Sequence, residues 1–204
     1  MRKIFLLLLF FASFASAGFY FDFTLSPVIR HLDAIHTTSQ SLYPNYNDEY
    51  LGYNGIGGLV STRFGGLIKG VVAIYGNIEL EITKGDVNGW NKKERSLSVS
   101  GKRPGSAFFG MGPGVTVYPF FKSTESIQNF YISTSMNIEI GSGGDIGLLG
   151  GNYRFETGYL WQSSERFYSG IAIGADVLAT GGFDSHIKDE KGYSIWIGFK
   201  LIRK

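Results

Sequence analysis

Read two residues at a time, the chain separates into eight short segments, each with one apolar side and one mixed side. Phe19, Phe21, Phe23 and Leu25 alternate with Tyr20, Asp22, Thr24 and Ser26. Ile56, Val60 and Phe64 oppose Ser61 and Arg63, and Val72, Ile74, Ile78, Leu80 and Ile82 oppose Tyr75, Asn77, Glu79 and Glu81. Ala107, Phe109, Met111, Val115 and Val117 face away from Gly110, Gly112, Gly114 and Thr116. Phe130, Ile132, Met136, Ile138 and Ile140 alternate with Tyr131, Ser133, Ser135, Asn137 and Glu139, and Tyr153, Phe155, Tyr159 and Trp161 with Arg154 and Glu156. The last two segments set Phe167, Ile171, Ile173 and Val177 against Gly170, Gly174 and Asp176, then Tyr193, Ile195, Ile197, Phe199 and Leu201 against Trp196, Gly198 and Lys200. A period of two is the mark of β-strands, because successive side chains leave an extended backbone on opposite faces.

The connections alternate as well. Three read as short, around residues 67–70, 121–129 and 163–166, and four as longer, over residues 28–53, 84–105, 142–151 and 180–192. In an up-and-down meander this sends all the long connections to one end. Pro113 falls inside the fourth segment and predicts a bulge there, since proline has no donor for a ladder; Pro119 belongs at that strand's end.

Which face points outward is not given by alternation, because a soluble lipocalin-like ligand-binding barrel has the same period with its apolar side inside. Three features favour the reverse. The mixed face is rich in Gly, Ser, Asn and Tyr rather than the Lys and Glu of a water-exposed sheet. Aromatic residues sit near segment ends on the apolar face, namely Phe19, Phe64, Phe130, Tyr153, Trp161, Phe167, Tyr193 and Phe199, where a lipid interface wants them. The connections are sorted by length. The expected fold is all-β: an eight-stranded antiparallel up-and-down closed transmembrane β-barrel over residues 18–204.

The N-terminus adds an address. Arg2 and Lys3 precede an apolar stretch over residues 4–14, and Ala15-Ser16-Ala17 is a small-residue cleavage pattern, so residues 1–17 read as a cleaved signal peptide. Those two bases account for the formal net charge of +2; the remaining 17 basic side chains equal the 17 acidic ones, which leaves no footprint for nucleic acid. With no cysteine in 204 residues, disulfides and thiolate metal sites are excluded.

In pattern and layout the residues from Gly18 onward resemble the small eight-stranded outer-membrane barrels of the OmpA/OmpX type. The resemblance implies the bacterial cell outer membrane, four connections outside and three inside, membrane lipid and the barrel-assembly machinery as partners, and a monomer. Such proteins commonly end on an aromatic residue that the assembly machinery reads; here Phe199 is followed by Lys200-Leu201-Ile202-Arg203-Lys204, so Phe199 is the expected signal.

A barrel of eight strands is filled by its own side chains. Asp22, Glu79, Glu81, Glu139, Glu156 and Asp176 would then meet Arg63, Arg154 and Lys200 inside, as an inward charged network that holds register or, alternatively, as a narrow channel for ions or small solutes. Tyr75 and Tyr131 are expected to lie across Gly110, Gly112 and Gly114, and Trp196 across Gly170, Ala172 and Gly174. Asp184-Ser185-His186 brings three catalytic residue types together and raises a lipid A modifying enzyme, but neighbours on an extended chain point apart. Enzymatic function, a cofactor and a metal site are not expected: Asp48-Glu49 and Asp189-Glu190 lack calcium-loop spacing, and no Gly-Lys-Ser/Thr follows the glycine clusters. The connection over 28–53, with Tyr43, Tyr46 and Tyr50, has the composition of a surface that binds an extracellular ligand. A structural or surface-adhesion role is the function expected first.

Overall fold

Eight strands form because every backbone donor and acceptor of an amphipathic extended segment must find a partner, and here they find it in one closed sheet. The computed structural model describes the backbone of residues 18–36, 50–91, 96–120, 129–143, 146–182 and 187–203. Its strands are β1 (Gly18–His36), β2 (Tyr50–Ile68), β3 (Val72–Asn91), β4 (Ser96–Val117), β5 (Phe130–Gly143), β6 (Ile146–Gln162), β7 (Phe167–Gly182) and β8 (Ile187–Arg203). Each pairs antiparallel with the next, and β8 returns to β1, which closes the barrel. The signal segment 1–17 lies outside the described residues.

The alternation sets the orientation. Leu25, Ile29, Ile56, Ile82, Ile138, Phe155, Ile173 and Ile197 are exposed on the outside, while Asp22, Glu79, Glu139, Arg154, Asp176 and Lys200 are almost wholly buried within. A soluble barrel with an apolar lumen is therefore the wrong reading of this chain. A contiguous exposed belt of this extent has only hydrocarbon as a fitting solvent, so the barrel spans a membrane.

The strands are longer than alternation suggested. β1 continues to His36 and β2 begins at Tyr50, inside the connection expected over 28–53; β3 and β4 leave only residues 92–95 between them, and β5 and β6 only 144–145. The ladder continues past the positions where the clean apolar alternation stops. The sorting of connections by length fails, since the one expected to be short around 121–129 spans 118–129 and outlasts three of the four on the other end. The turn from β2 to β3 is tight: Lys69 (φ 51°) and Gly70 (φ 72°) are both left-handed, and the Val71 amide donates to the Ile68 carbonyl at 3.0 Å. This mirror-image turn matches the twist of its strands.

Pro113 makes no bulge. On the β3 side it holds the register against Gly76; on the β5 side the same register runs through Met111↔Ile138 and Gly114↔Ser135, and pairing simply lapses across Gly112 and Pro113. Pro27 does likewise on the β8 side of β1, where pairing lapses between Leu25↔Phe199 and Val28↔Trp196. Both rings point outward, so each proline withholds its missing donor from one neighbour and keeps the alternation intact.

Inside, bulky rings sit where the facing residue has no side chain. A Cβ at Gly114 would strike the Tyr75 ring, and one at Gly174 the Trp196 ring; Tyr131, by contrast, lies over Gly158 of β6 and not over the β4 glycines. Replacing Gly174 with leucine is expected to destabilise the barrel by ~1–3 kcal/mol through overpacking, whereas Gly76→Ala, with nothing within 4 Å of the new methyl, should be close to neutral. Urea unfolding of the two variants in bilayers checks this, and equal midpoints would contradict the packing.

Candidate functional site

The lumen is the densest chemistry in the described structure, and its inward positions are dictated by the same period of two. At the rim where β1 begins, Tyr20, Tyr118, Tyr131, Leu160 and Ile202 are buried together; Tyr20 stacks on Tyr75 with ring centroids 6.0 Å apart, and Tyr118 lies 6.1 Å from Tyr131. Three ionic layers rise from this floor.

In the first layer Arg63 and Lys200 share two carboxylates. Arg63 Nη1 donates to Asp22 at 3.3 Å and to Glu156 at 3.2 Å, with Nη2 also on Glu156, and Lys200 reaches Asp22 at 2.9 Å and Glu156 in a close pair. The Tyr131 hydroxyl donates to Glu156 at 2.8 Å and that of Tyr20 to Asp22 at 3.0 Å. Charge in this layer is balanced.

In the second layer Arg154 of β6 divides its guanidinium between strands on opposite sides. Nε and Nη2 form a fork on Asp176 at 2.6 and 2.8 Å, while Nη1 meets Glu79 at 2.6 Å. Glu79 is further held by a rung of amides: Asn77, Asn137 and Asn152 donate to it at 2.8, 3.1 and 2.7 Å, and Ser194 donates to Asp176 at 2.9 Å. Trp196 lies beneath the guanidinium at 5.4 Å.

The third layer rests on Arg30, which pairs with Glu81 through Nε at 2.6 Å and Nη2 at 3.1 Å and stands 3.9 Å from Glu139, its guanidinium 4.1 Å over the Phe108 ring. Glu139 also accepts from Asn152. Beyond Arg30, Leu32, Tyr53, Phe108 and Leu178 are buried and cover the stack.

The reading from residue patterns did not include Arg30. Its first segment ends at Ser26, yet continuing the period through Pro27 places Val28, Arg30 and Leu32 inward and Ile29 outward, as the structure has them. The inward network named from the sequence, Arg63, Glu79, Glu81, Glu139, Arg154, Glu156, Asp176 and Lys200, is brought into this single stack. Counted formally, the described lumen holds four bases and, with Asp22, six acids, an excess of two acidic residues.

On the outer surface, Phe19, Phe64, Trp161 and Phe167 lie exposed towards the rim where β1 begins and β8 ends, with Phe130 half-buried against Phe120, and Tyr193 lies towards the far rim, its ring 5.1 Å from His31. Phe199, between Leu25 and Ile171, is one outward step from the end of its apolar run, and Tyr153 stands mid-belt between Met136 and Val177. His31 bonds Asn54 at 2.7 Å. Asp184-Ser185-His186 and Asp48-Glu49 lie outside the described residues, as do the side chains of His36, Tyr50, Asp189 and Glu190. Among the described residues no three His, Cys, Asp or Glu side chains are placed to hold a metal ion.

No protein-family model and no curated protein matches the chain. Solved structures do. Neisserial surface protein A is 12% identical over 92% of this chain and 97% of its own, with a TM-score of 0.49. The outer membrane protein OprG from Pseudomonas aeruginosa is 9% identical over 89% and 95%, at 0.47, and the outer membrane protease OmpT from Escherichia coli 6% identical over 91% and 96%, at 0.41. These likenesses extend to the barrel architecture and no further.

Proposed function

We propose that this chain is a monomeric barrel of a bacterial outer membrane, exported by residues 1–17, with a structural or surface-binding role and no open pore. The carrying observation is the stack itself: side chains as large as Trp196, Arg30, Arg63, Arg154, Tyr20, Tyr53 and Tyr131 are fully buried across the lumen. Ions crossing it would have to break pairs that lie out of water, where the loss is costly. The belt meets membrane lipid, Phe199 is offered to the barrel-assembly machinery, and the connections from β1 to β2 and from β3 to β4 are offered to an extracellular ligand.

Planar-bilayer recording tests the reading. Wild-type protein is expected to be electrically silent, and Lys200→Ala, which opens the floor layer, to give intermittent current. Steady wild-type conductance would overturn it in favour of the narrow channel, whose support is the acidic excess of the lumen.

A further inference from the structure

The lapse in the ladder at Pro113 does more than thin the wall. Between β4 and β5 the outer surface sinks into a depression of about 250 Å³, lined by Pro113, Val115, Thr134, Ser135, Met136 and Tyr153, and its surface is almost wholly carbon. Gly76, the partner of Pro113 on β3, is exposed and adds no side chain to fill it. Met136 is the midpoint of the outward run from Ile132 to Ile140, so the depression opens at mid-belt rather than at a rim.

We propose that this depression is a binding site for one acyl chain of a membrane lipid. The position names the occupant, since at mid-belt the molecules in contact with the wall are hydrocarbon chains, and a polar headgroup cannot descend to that depth without losing its water. The size agrees: at ~30 Å³ for each water-sized unit, the volume takes about eight such units, a short stretch of one chain and not a bundle. The chemistry gives a reason to fill it. A chain lodged there restores the dispersion contacts that an empty hollow forfeits and keeps water from the thinned wall. Met136, flexible and polarizable, together with the Tyr153 ring beside it, makes a surface that conforms to a chain.

Photo-crosslinking tests this with folded protein reconstituted in vesicles of phosphatidylethanolamine and phosphatidylglycerol carrying a mid-chain diazirine in a small fraction of the phospholipid. Adducts mapped by peptide mass spectrometry are expected to be enriched several-fold on Met136 and Tyr153 over Ile173 and Ile197, which share the belt on β7 and β8. Thr134→Phe, which fills the hollow from the lipid side, should remove the enrichment while leaving adducts at Ile173 unchanged. Even labelling around the belt in the wild type would overturn the proposal whether or not the variant folds. Enrichment with a free diazirine fatty acid but none with the phospholipid would overturn it too, by assigning the hollow to a solute.

Discussion

Arg154→Ala is expected to cost the barrel ~3–5 kcal/mol, because it leaves two buried carboxylates with no cation between them. The side chain bridges Asp176 on the adjacent strand to Glu79 across the lumen, and among the described residues neither acid forms an ion pair with another base. Equilibrium urea unfolding in lipid bilayers, followed by the gel-mobility difference between folded and heated protein, measures the loss. Replacing all three charges together, as R154M with E79Q and D176N, should recover much of it, since no charge is stranded and the Asn77, Asn137, Asn152 and Ser194 donors keep acceptors. A single variant as stable as wild type would mean that water already reaches this layer and that the lumen is open.

Ile197→Arg is expected to destabilise the folded barrel by ~2–4 kcal/mol, the cost of a guanidinium facing hydrocarbon near the bilayer midplane. Ile197 points outward between Gly198 and Trp196 and pairs with Ile173 at the centre of the β7–β8 apolar run. In a water-soluble barrel an arginine on an exposed strand position changes stability by a few tenths of a kcal/mol at most, so a null result in bilayers would undo the membrane assignment itself. Lys191→Arg, beyond the same run on β8, serves as the reference and should be neutral.

Both effects were legible as directions in the residue order. Ile197 and Arg154 sit on opposite sides of period-two segments, and nothing more than alternation places one outside and the other within. What stayed hidden was partnership. Arg154 belongs to β6, Asp176 to β7 and Glu79 to β3, separated by 22 and 75 positions respectively on the chain; which acid a guanidinium meets depends on strand stagger and closure, and these are properties of the whole sheet. Tyr131 shows the same limit, crossing to Gly158 on its own neighbour rather than to the glycines of β4.

Prolines marked the second boundary of local reasoning. Pro113 looks like an interruption when donors are counted along one strand, and a bulge is what that count predicts. In the closed sheet each strand has two neighbours, and a proline disturbs one of them only. The far ends of the strands escaped because the clean apolar alternation stops before the ladder does.

By itself, then, the sequence determined how many strands there are, which of their faces is oily, and that charge must be stored inside, because these follow from each residue's transfer between water and hydrocarbon. Tertiary structure decided which charges meet, where the ladder lapses and what hollow that leaves, because contact across a barrel is set by register and closure, to which every strand contributes and which none encodes alone.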